Sequence, residues 1–296
     1  MQKFSFALIT FIVFLISVNV VAAQDDDVIK VDSSLVILNA AISDKAGHNV
    51  PGIKEKEFKV LEDGVEQQIE LFETSDTPFA AIVLFDTSGS MEDRLTLART
   101  AAINFLQGLR PDDVAAVYKF DRNITTIQDF SQSQFISDKM FDLSARGITV
   151  LNDAIYKAAK DLEARPEKRK AIIVLSDGED TGSNASAKKA LNAALAANAT
   201  IYTVDLTTWE GNTRGQNTAV LKDFAEKSGG FFIAVKNGQV LRDSLESVIQ
   251  ELGTQYTLGY SPKETNSKKK WRSIEVVISR PNLTIRTRKG YNVEPN

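Results

Sequence analysis

The sequence predicts an α/β fold, in which a doubly wound, mostly parallel sheet has helices on both faces and a small β-sandwich accompanies it. Between residues 78 and 253, short apolar runs alternate with segments whose apolar residues recur at helical spacing. That alternation is typical of a parallel sheet covered by helices. The flanking segments show only strand patterns and hold too few strands to be stable alone. We therefore expect residues 28–77 and 254–292 to pack together as one sandwich.

Composition limits the classes of function that the chain can have. Its 296 residues are 43% hydrophobic and 25% charged, which is ordinary for a soluble globular protein. The net charge of −4, with lysine and arginine scattered along the chain, argues against a nucleic-acid partner. The chain has no cysteine, which excludes disulfide bonds and a cysteine-linked lipid anchor.

Residues 1–23 have the three parts of a secretory signal peptide. Lys3 precedes an apolar stretch from Phe4 to Val21, and small residues stand just before Gln24. The pattern predicts cleavage after Ala23 and export to the periplasm, the cell surface or the medium, with no membrane association afterwards. The alternative is an uncleaved anchor, because the apolar stretch approaches the roughly 20 residues that span a bilayer.

The first mature segment, residues 24–77, shows strand patterns. Apolar residues alternate from Val36 to Ile42, as in a half-buried strand. The dipeptide Asp63-Gly64 lies between apolar runs at Phe58–Glu62 and Gln67–Phe72, which predicts a hairpin.

The central region, residues 78–253, opens with Ala81–Phe85, a continuous apolar run that predicts a strand buried on both faces. The first two strands after the first helix, Val114–Phe120 and Ile124–Phe130, are expected to form a hairpin at an edge of the sheet. The predicted elements are a helix at Leu95–Leu109, strands at Val114–Phe120 and Ile124–Phe130, helices at Gln134–Leu143 and Leu151–Ala164, a strand at Ala171–Leu175, a helix at Ala185–Ala197, a strand at Thr200–Val204, a helix at Thr218–Lys227, a strand at Phe231–Val235 and a helix at Val240–Leu252. The last segment, residues 254–296, returns to strand patterns, with strands predicted at Tyr256–Tyr260, Trp271–Ser279 and Leu283–Arg288.

Three polar loops stand out within this region. The first ends the stretch Ala81–Met91, AIVLFDTSGSM, directly after the apolar run. The second lies in Arg146–Ile155, before a helical pattern, and the third ends the apolar run Ala171–Gly178. In open α/β sheets, ligands bind at the carboxyl ends of the strands. Helix capping explains one such polar residue, but it does not explain an alternating set of three with partners in two other loops.

The loops resemble those of the von Willebrand factor type A (VWA) family that carry a metal-ion-dependent adhesion site. The family motif DxSxS matches Asp86, Ser88 and Ser90, the threonine of the second loop matches Thr149, and the last aspartate matches Asp177. Three such loops in order are far more specific than DxSxS alone. The resemblance implies that the two serines ligate a cation directly, that the two aspartates bind it directly or through water, and that the threonine joins when the site is engaged.

The oxygen ligands implied by this resemblance suit a hard divalent cation. Hydroxyl and carboxylate oxygens favour Mg²⁺, with Mn²⁺ or Ca²⁺ as alternatives. Because only two formal negative charges face the ion, an exposed aspartate or glutamate of a protein partner can complete its coordination. This mechanism binds a partner and requires no reaction.

The loop at residues 207–217 is expected to lie on the same face as the metal site. Its length and its aromatic and charged residues favour a functional role. We expect Trp209 and Arg214 to flank the cation and contact the partner. In the alternative interpretation the loop is solvated and Trp209 is packed into the core.

The leading hypothesis is a secreted, metal-dependent protein-binding module engaged in adhesion or assembly, and not an enzyme. One alternative is a scaffold that needs no metal and binds partners through the edges of the β-sandwich. A less favoured alternative is a metal-dependent hydrolase with Asp86 and Asp177 as acid and base. Against it, the sequence has no cysteine, no histidine pair and no GxSxG motif to supply a nucleophile or a proton shuttle.

The flanks carry a second resemblance, to the bacterial VWFA-related proteins first grouped from acidobacterial genomes. It rests on Ser43–Gly47 and Phe58–Gly64 before the central region, and on Tyr256–Pro262 and Arg288–Tyr291 after it. The resemblance implies a shared architecture of the whole mature chain and supplies no biochemical role.

Overall fold

The computed structural model describes residues 35–74, 77–132, 137–140, 147–207, 214–263 and 269–293. For Met140 and residues 214–216 it describes the backbone only. The predicted signal peptide lies outside the described residues. None of the helices in the described ranges is long and apolar enough to span a membrane.

Strands alternate with helices through the middle of the chain and stand without helices at both ends of it. In chain order the elements are β1 (Val36–Ser43), a 3-10 turn (Glu55–Glu57), β2 (Phe58–Glu62), β3 (Val65–Gln67), β4 (Leu71–Glu73), β5 (Phe79–Asp86), a 3-10 turn (Gly89–Arg94), α1 (Leu95–Gln107), β6 (Val114–Phe120), β7 (Ile124–Ser131), a 3-10 turn (Asp138–Met140), α2 (Leu151–Glu163), β8 (Arg169–Ser176), α3 (Ala187–Ala196), β9 (Ala199–Asp205), α4 (Arg214–Ser228), β10 (Phe232–Ala234), α5 (Gly238–Thr254), β11 (Tyr256–Tyr260), β12 (Trp271–Ile278), β13 (Thr284–Arg286) and β14 (Gly290–Asn292).

A six-stranded sheet forms the centre of what we call the central lobe, residues 79–254. Its strand order is β10-β9-β8-β5-β6-β7, and all neighbours are parallel except the edge pair β6 and β7. Every residue of β5 and β8 is buried, because α1 and α5 cover one face of the sheet and α2, α3 and α4 cover the other. This confirms the predicted doubly wound α/β fold and its edge hairpin.

Two four-stranded sheets from the chain's ends form the sandwich. Their strand orders are β13-β1-β11-β4 and β14-β12-β2-β3, with antiparallel pairing throughout. Leu38 and Leu258 of the first sheet and Val60 and Val276 of the second belong to one buried apolar cluster. Each sheet contains strands from both ends of the chain, so the predicted sandwich of the two terminal segments is confirmed.

The predicted strand at Gln67–Phe72 is wrong in its bounds. The hairpin at Asp63-Gly64 exists, with φ angles of 49° and 82°, but it pairs β2 with β3. Leu71–Glu73 is a separate strand that crosses to the other sheet and pairs with β11. A sandwich requires such a crossing, and the sequence carries no signal for it.

Two further differences concern short elements. The strand β14 is absent from the sequence prediction, since three residues are too few to show alternation. The predicted helix at Gln134–Leu143 lies largely outside the described residues, and of it only the 3-10 turn Asp138–Met140 is described.

Candidate metal site

The DxSxS loop begins at Asp86, the last residue of β5. This residue lies at the carboxyl edge of the central sheet. The backbone N–H of Thr87 donates to the carbonyl oxygen of Phe120 at 2.8 Å, which ties the loop to the neighbouring strand β6. Ser88 is buried, Ser90 is exposed, and their hydroxyl oxygens lie 3.1 Å apart. Ser88 precedes the 3-10 turn at Gly89–Arg94, but its side chain makes no capping hydrogen bond. The serine hydroxyls are therefore not used to cap the following helix.

The carboxylate of Asp86 is fully buried and held by two serines. One oxygen accepts from the backbone N–H of Ser88 at 2.9 Å, and the other accepts from the Ser176 hydroxyl at 2.5 Å. The pKa of Asp86 is raised to about 6, chiefly by burial and to a smaller extent by nearby Asp177, against the lowering effect of the hydrogen bonds from Ser176 and Ser88. None of the ion pairs between described residues includes Asp86. A buried carboxylate with hydrogen bonds and no cationic partner fits a site for a cation.

Thr149 is held by the loop that carries Asp177. We call residues 147–153 the threonine loop and residues 177–185 the aspartate loop. The backbone N–H of Thr149 donates to the Thr181 hydroxyl at 3.1 Å, and the N–H groups of Thr181 and Gly182 both donate back to the Thr149 carbonyl at 3.0 Å. Because these bonds run in both directions, the position of Thr149 is set by the aspartate loop.

The aspartate loop also caps the start of helix α2. The N–H of Asn152 donates to Asp180 at 2.8 Å, and the N–H of Asp153 donates to the Ser183 hydroxyl at 3.0 Å. In return, the Asp153 carboxylate accepts from the N–H of Ala185 at 2.8 Å. The orphan donors of the helix terminus are thus satisfied by the loop that follows β8 and not by a local cap.

All three loops meet at one edge of the sheet. Strands β5 and β8 are neighbours in register, with Phe85 opposite Leu175, so Asp86 and Asp177 follow adjacent strand ends. The N–H of Gly89 donates to the Gly147 carbonyl at 3.3 Å, which joins the DxSxS loop to the threonine loop. Thr149 is buried and Asp177 is half-buried. That these residues ligate a metal stays a prediction.

The residues that position the five predicted metal ligands were not predicted from the sequence. They are Ser176, which bonds to Asp86, and the side chains that join the threonine and aspartate loops: Asp153, Asp180, Thr181 and Ser183. The available signal is the density of turn and capping residues in Asp177–Asn184, DGEDTGSN, directly before a helix.

The family model for the von Willebrand factor type A domain matches residues 82–247, which is more than half of the chain. The chain belongs to the VWA family. No curated protein matches it.

Three solved structures illustrate the likeness. A von Willebrand factor type A protein from Catenulispora acidiphila is 13% identical, with a TM-score of 0.51 over 86% of this chain and 72% of that one. The pilus adhesin SpaC from Lactobacillus rhamnosus GG, in its open conformation, is 9% identical, with a TM-score of 0.51 over 82% of this chain and 48% of the adhesin. A mutant of the PilB minor pilin from Streptococcus sanguinis is 14% identical, with a TM-score of 0.49 over 60% of this chain and 62% of the pilin. At these identities the likeness to the Catenulispora protein and to the adhesin shows the fold alone. The match spans less than two thirds of the adhesin and of the pilin.

VWA domains commonly bind a divalent cation, and the donor set of this chain fits one. In the described part of the chain, no three carboxylate, histidine or cysteine side chains are arranged to hold a metal. A cation at the carboxyl edge therefore depends on hydroxyl oxygens beside two carboxylates. Such oxygen ligands suit a hard ion such as Mg²⁺.

The structure does not test the prediction that Trp209 and Arg214 contact the partner. Trp209 lies outside the described residues. Arg214 is the first residue of α4, and its side chain is not described. The start of their loop does reach the site, since the Thr207 hydroxyl lies 3.4 Å from the Asp177 carbonyl oxygen.

Proposed function

We propose that this VWA protein is an exported module that binds a protein partner through a divalent cation, with Mg²⁺ preferred. The observation that carries the proposal is the pair of serine hydroxyls, 3.1 Å apart, which belong to buried Ser88 and exposed Ser90. Beside them lies the buried carboxylate of Asp86, which forms no ion pair with a described lysine or arginine. Of these three residues Ser90 is exposed to solvent, at the sheet edge where α/β folds bind ligands. The proposed ligands are Asp86, Ser88, Ser90, Thr149 and Asp177.

The residues of the chain orient the ligands, and the partner completes the site. Ser176 holds one oxygen of Asp86 toward the sheet, and the aspartate loop fixes Thr149. When bound, the cation supplies an electrophilic centre that accepts a carboxylate from an aspartate or glutamate of the partner. The proposed activity is binding and includes no bond-making step.

The setting we propose is adhesion or assembly at the cell envelope. The signal-peptide pattern of residues 1–23 supports export to the periplasm, the surface or the medium. One of the structures with a similar fold is a pilus adhesin, which favours a role in contact between proteins over a role in metabolism.

Metal binding is the first experiment. We expect Mg²⁺ to raise the melting temperature of the mature protein, because a ligand that binds only the native state at about 100 times its Kd adds about 2.7 kcal/mol of stability. Ser88→Ala should weaken Mg²⁺ binding at least about tenfold, measured by isothermal titration calorimetry. The matched control is Ser247→Ala, on α5, whose hydroxyl bonds only to the Asp243 carbonyl in its own helix. Equal melting temperatures in Mg²⁺ and in EDTA would refute the metal site.

Partner capture is the second experiment. The mature protein is used to retrieve proteins from the envelope and medium of its own organism, with Mg²⁺ or with EDTA, beside the Ser88→Ala variant. We expect retrieval to need Mg²⁺ and an intact Ser88. Retrieval that persists with Asp86→Ala in EDTA would instead favour the scaffold that binds through its sandwich edges.

A further inference from the structure

A pocket of about 220 Å³ lies beside the candidate metal site, at the carboxyl ends of β9 and β10. This volume accommodates one amino-acid side chain. We call it the lysine pocket. Its lining includes Asp205, Thr207, Lys222, Phe232 and Lys236.

Thr207 separates the lysine pocket from the metal site. Its hydroxyl bonds to Asp205 inside the pocket and lies 3.4 Å from the carbonyl oxygen of Asp177. The strands that precede the two sites, β8 and β9, are parallel neighbours. A peptide whose carboxylate binds at the metal site therefore has its adjacent residues within reach of the lysine pocket.

The pocket has a positive rim and an apolar floor. Lys222 and Lys236 are exposed, and the Lys222 ammonium lies 5.2 Å from the centre of the Phe232 ring. Phe232 is half-buried and forms the apolar part of the floor. Ammonium groups above an apolar surface match an acidic group on an aliphatic stem, because the stem covers the apolar floor and the carboxylate meets the charges.

The inner end of the pocket is negative. Asp205 is buried, and its carboxylate accepts from the N–H of Thr207 at 2.8 Å and from the Thr218 hydroxyl at 3.2 Å. A second carboxylate at that depth would be repelled. An acidic group is therefore favoured only at the rim, between the two lysines.

We propose that the lysine pocket binds a glutamate of the same partner segment whose other acidic residue binds the cation. The methylene groups of this glutamate contact Phe232, and its carboxylate lies between Lys222 and Lys236. The proposal rests on the proposed function, and it makes the partner segment doubly acidic. The expected gain in affinity is about fivefold to tenfold, which corresponds to about 1–1.4 kcal/mol shared by two exposed charge pairs.

The test uses synthetic peptides with the mature protein. Each peptide carries one aspartate, then one to four glycines, then either a glutamate or a glutamine. Affinities are measured by NMR titration in Mg²⁺ and in EDTA. We expect at least one spacing at which the glutamate peptide binds about fivefold or more tightly than its glutamine counterpart in Mg²⁺.

Variants separate the two sites. The double variant Lys222→Gln, Lys236→Gln should abolish the difference between glutamate and glutamine while the Mg²⁺-dependent affinity for the aspartate stays. Lys188→Gln, an exposed lysine on α3, is the control and should leave the difference unchanged.

Each outcome decides the proposal. Equal binding of glutamate and glutamine peptides at every spacing, with Mg²⁺-dependent binding retained, overturns the lysine pocket and leaves the metal site standing. Absence of Mg²⁺ dependence refutes the proposed function; in that case a glutamate preference that the double lysine variant removes still supports the pocket. Absence of any preference overturns it.

Discussion

The central lobe and the β-sandwich of this VWA protein differ in how far apart along the chain their key contacts lie. In the central lobe, the bonds between the threonine and aspartate loops join residues 28 to 32 positions apart. In the sandwich, Tyr260 donates to Glu62 across 198 positions, and β1 pairs with β11. Contacts of short separation form with less loss of chain entropy, so the central lobe can fold before the sandwich does.

The two parts also differ in the chemistry of their cores. Apolar residues dominate the buried positions of β5 and β8. In the sandwich, Glu62 is buried and accepts from the hydroxyls of Tyr260 at 2.7 Å and Tyr291 at 3.0 Å. A buried carboxylate is costly unless it is hydrogen-bonded, so the two ends of the chain must meet correctly for the sandwich to be stable.

Removing the hydrogen bonds that join the central lobe to the sandwich should have the largest effect on the free energy of unfolding. Arg169, the first residue of β8, is fully buried, and its guanidinium donates to the Thr257 hydroxyl at 3.1 Å and to the Thr77 and Leu252 carbonyls at 3.3 Å. We expect Arg169→Met to cost about 3–5 kcal/mol, because several buried acceptors from both parts lose their donor. Urea unfolding measures the loss.

The control for this change is Arg242→Met, an exposed arginine on α5 that bonds to Gln239 of the same helix. It should alter the free energy of unfolding by less than about 0.5 kcal/mol. If Arg169→Met were equally mild, the two parts would be joined mainly by apolar packing and not by this guanidinium.

Removing one hydroxyl group from the sandwich core should have an intermediate effect on the free energy of unfolding. We expect Tyr260→Phe to cost about 1.5–3 kcal/mol, the usual contribution of a hydrogen bond to a charged group. Combined with Tyr291→Phe, the total should exceed the sum of the single losses, since Glu62 then loses both hydroxyl donors. Strict additivity in the double-mutant cycle would show that water replaces each hydroxyl independently.

Removing a hydrogen bond between the threonine and aspartate loops should have the smallest effect on stability, but it should clearly lower the affinity for Mg²⁺. Asp180→Ala removes the acceptor for the Asn152 N–H and should cost about 1 kcal/mol. It should also weaken Mg²⁺ binding by calorimetry, because the aspartate loop positions Thr149.

Ser186→Ala is the matched control, because the Ser186 hydroxyl caps α3 by accepting from the N–H of Lys189 at 3.2 Å and accepts no N–H of α2. Its stability loss should be similar, while Mg²⁺ affinity should stay at the wild-type value. A drop in Mg²⁺ affinity with both variants would mean that general destabilisation, and not the position of Thr149, lowers the affinity.

The elements of the central lobe could be predicted because their signals are local. The run Ala81–Phe85 is apolar on every residue, as a strand covered on both faces must be, and helical spacing marks the segments that cover it. The sandwich strands were harder to delimit. Gln67 is buried and Val65 is exposed, which inverts the usual pattern and concealed the end of β3 before the chain crosses to the other sheet.

The sequence by itself determined the α/β alternation, the pairing of the terminal segments in one sandwich, and the order of three polar loops at strand ends. These follow from periodicity and residue type, which act over a few neighbouring positions. Only the tertiary structure decided that Ser176 holds Asp86, that the aspartate loop caps α2 and fixes Thr149, and that Arg169 joins the two parts. Those bonds depend on which strand ends become neighbours in the sheet, and a chain position carries no local mark of its distant partner.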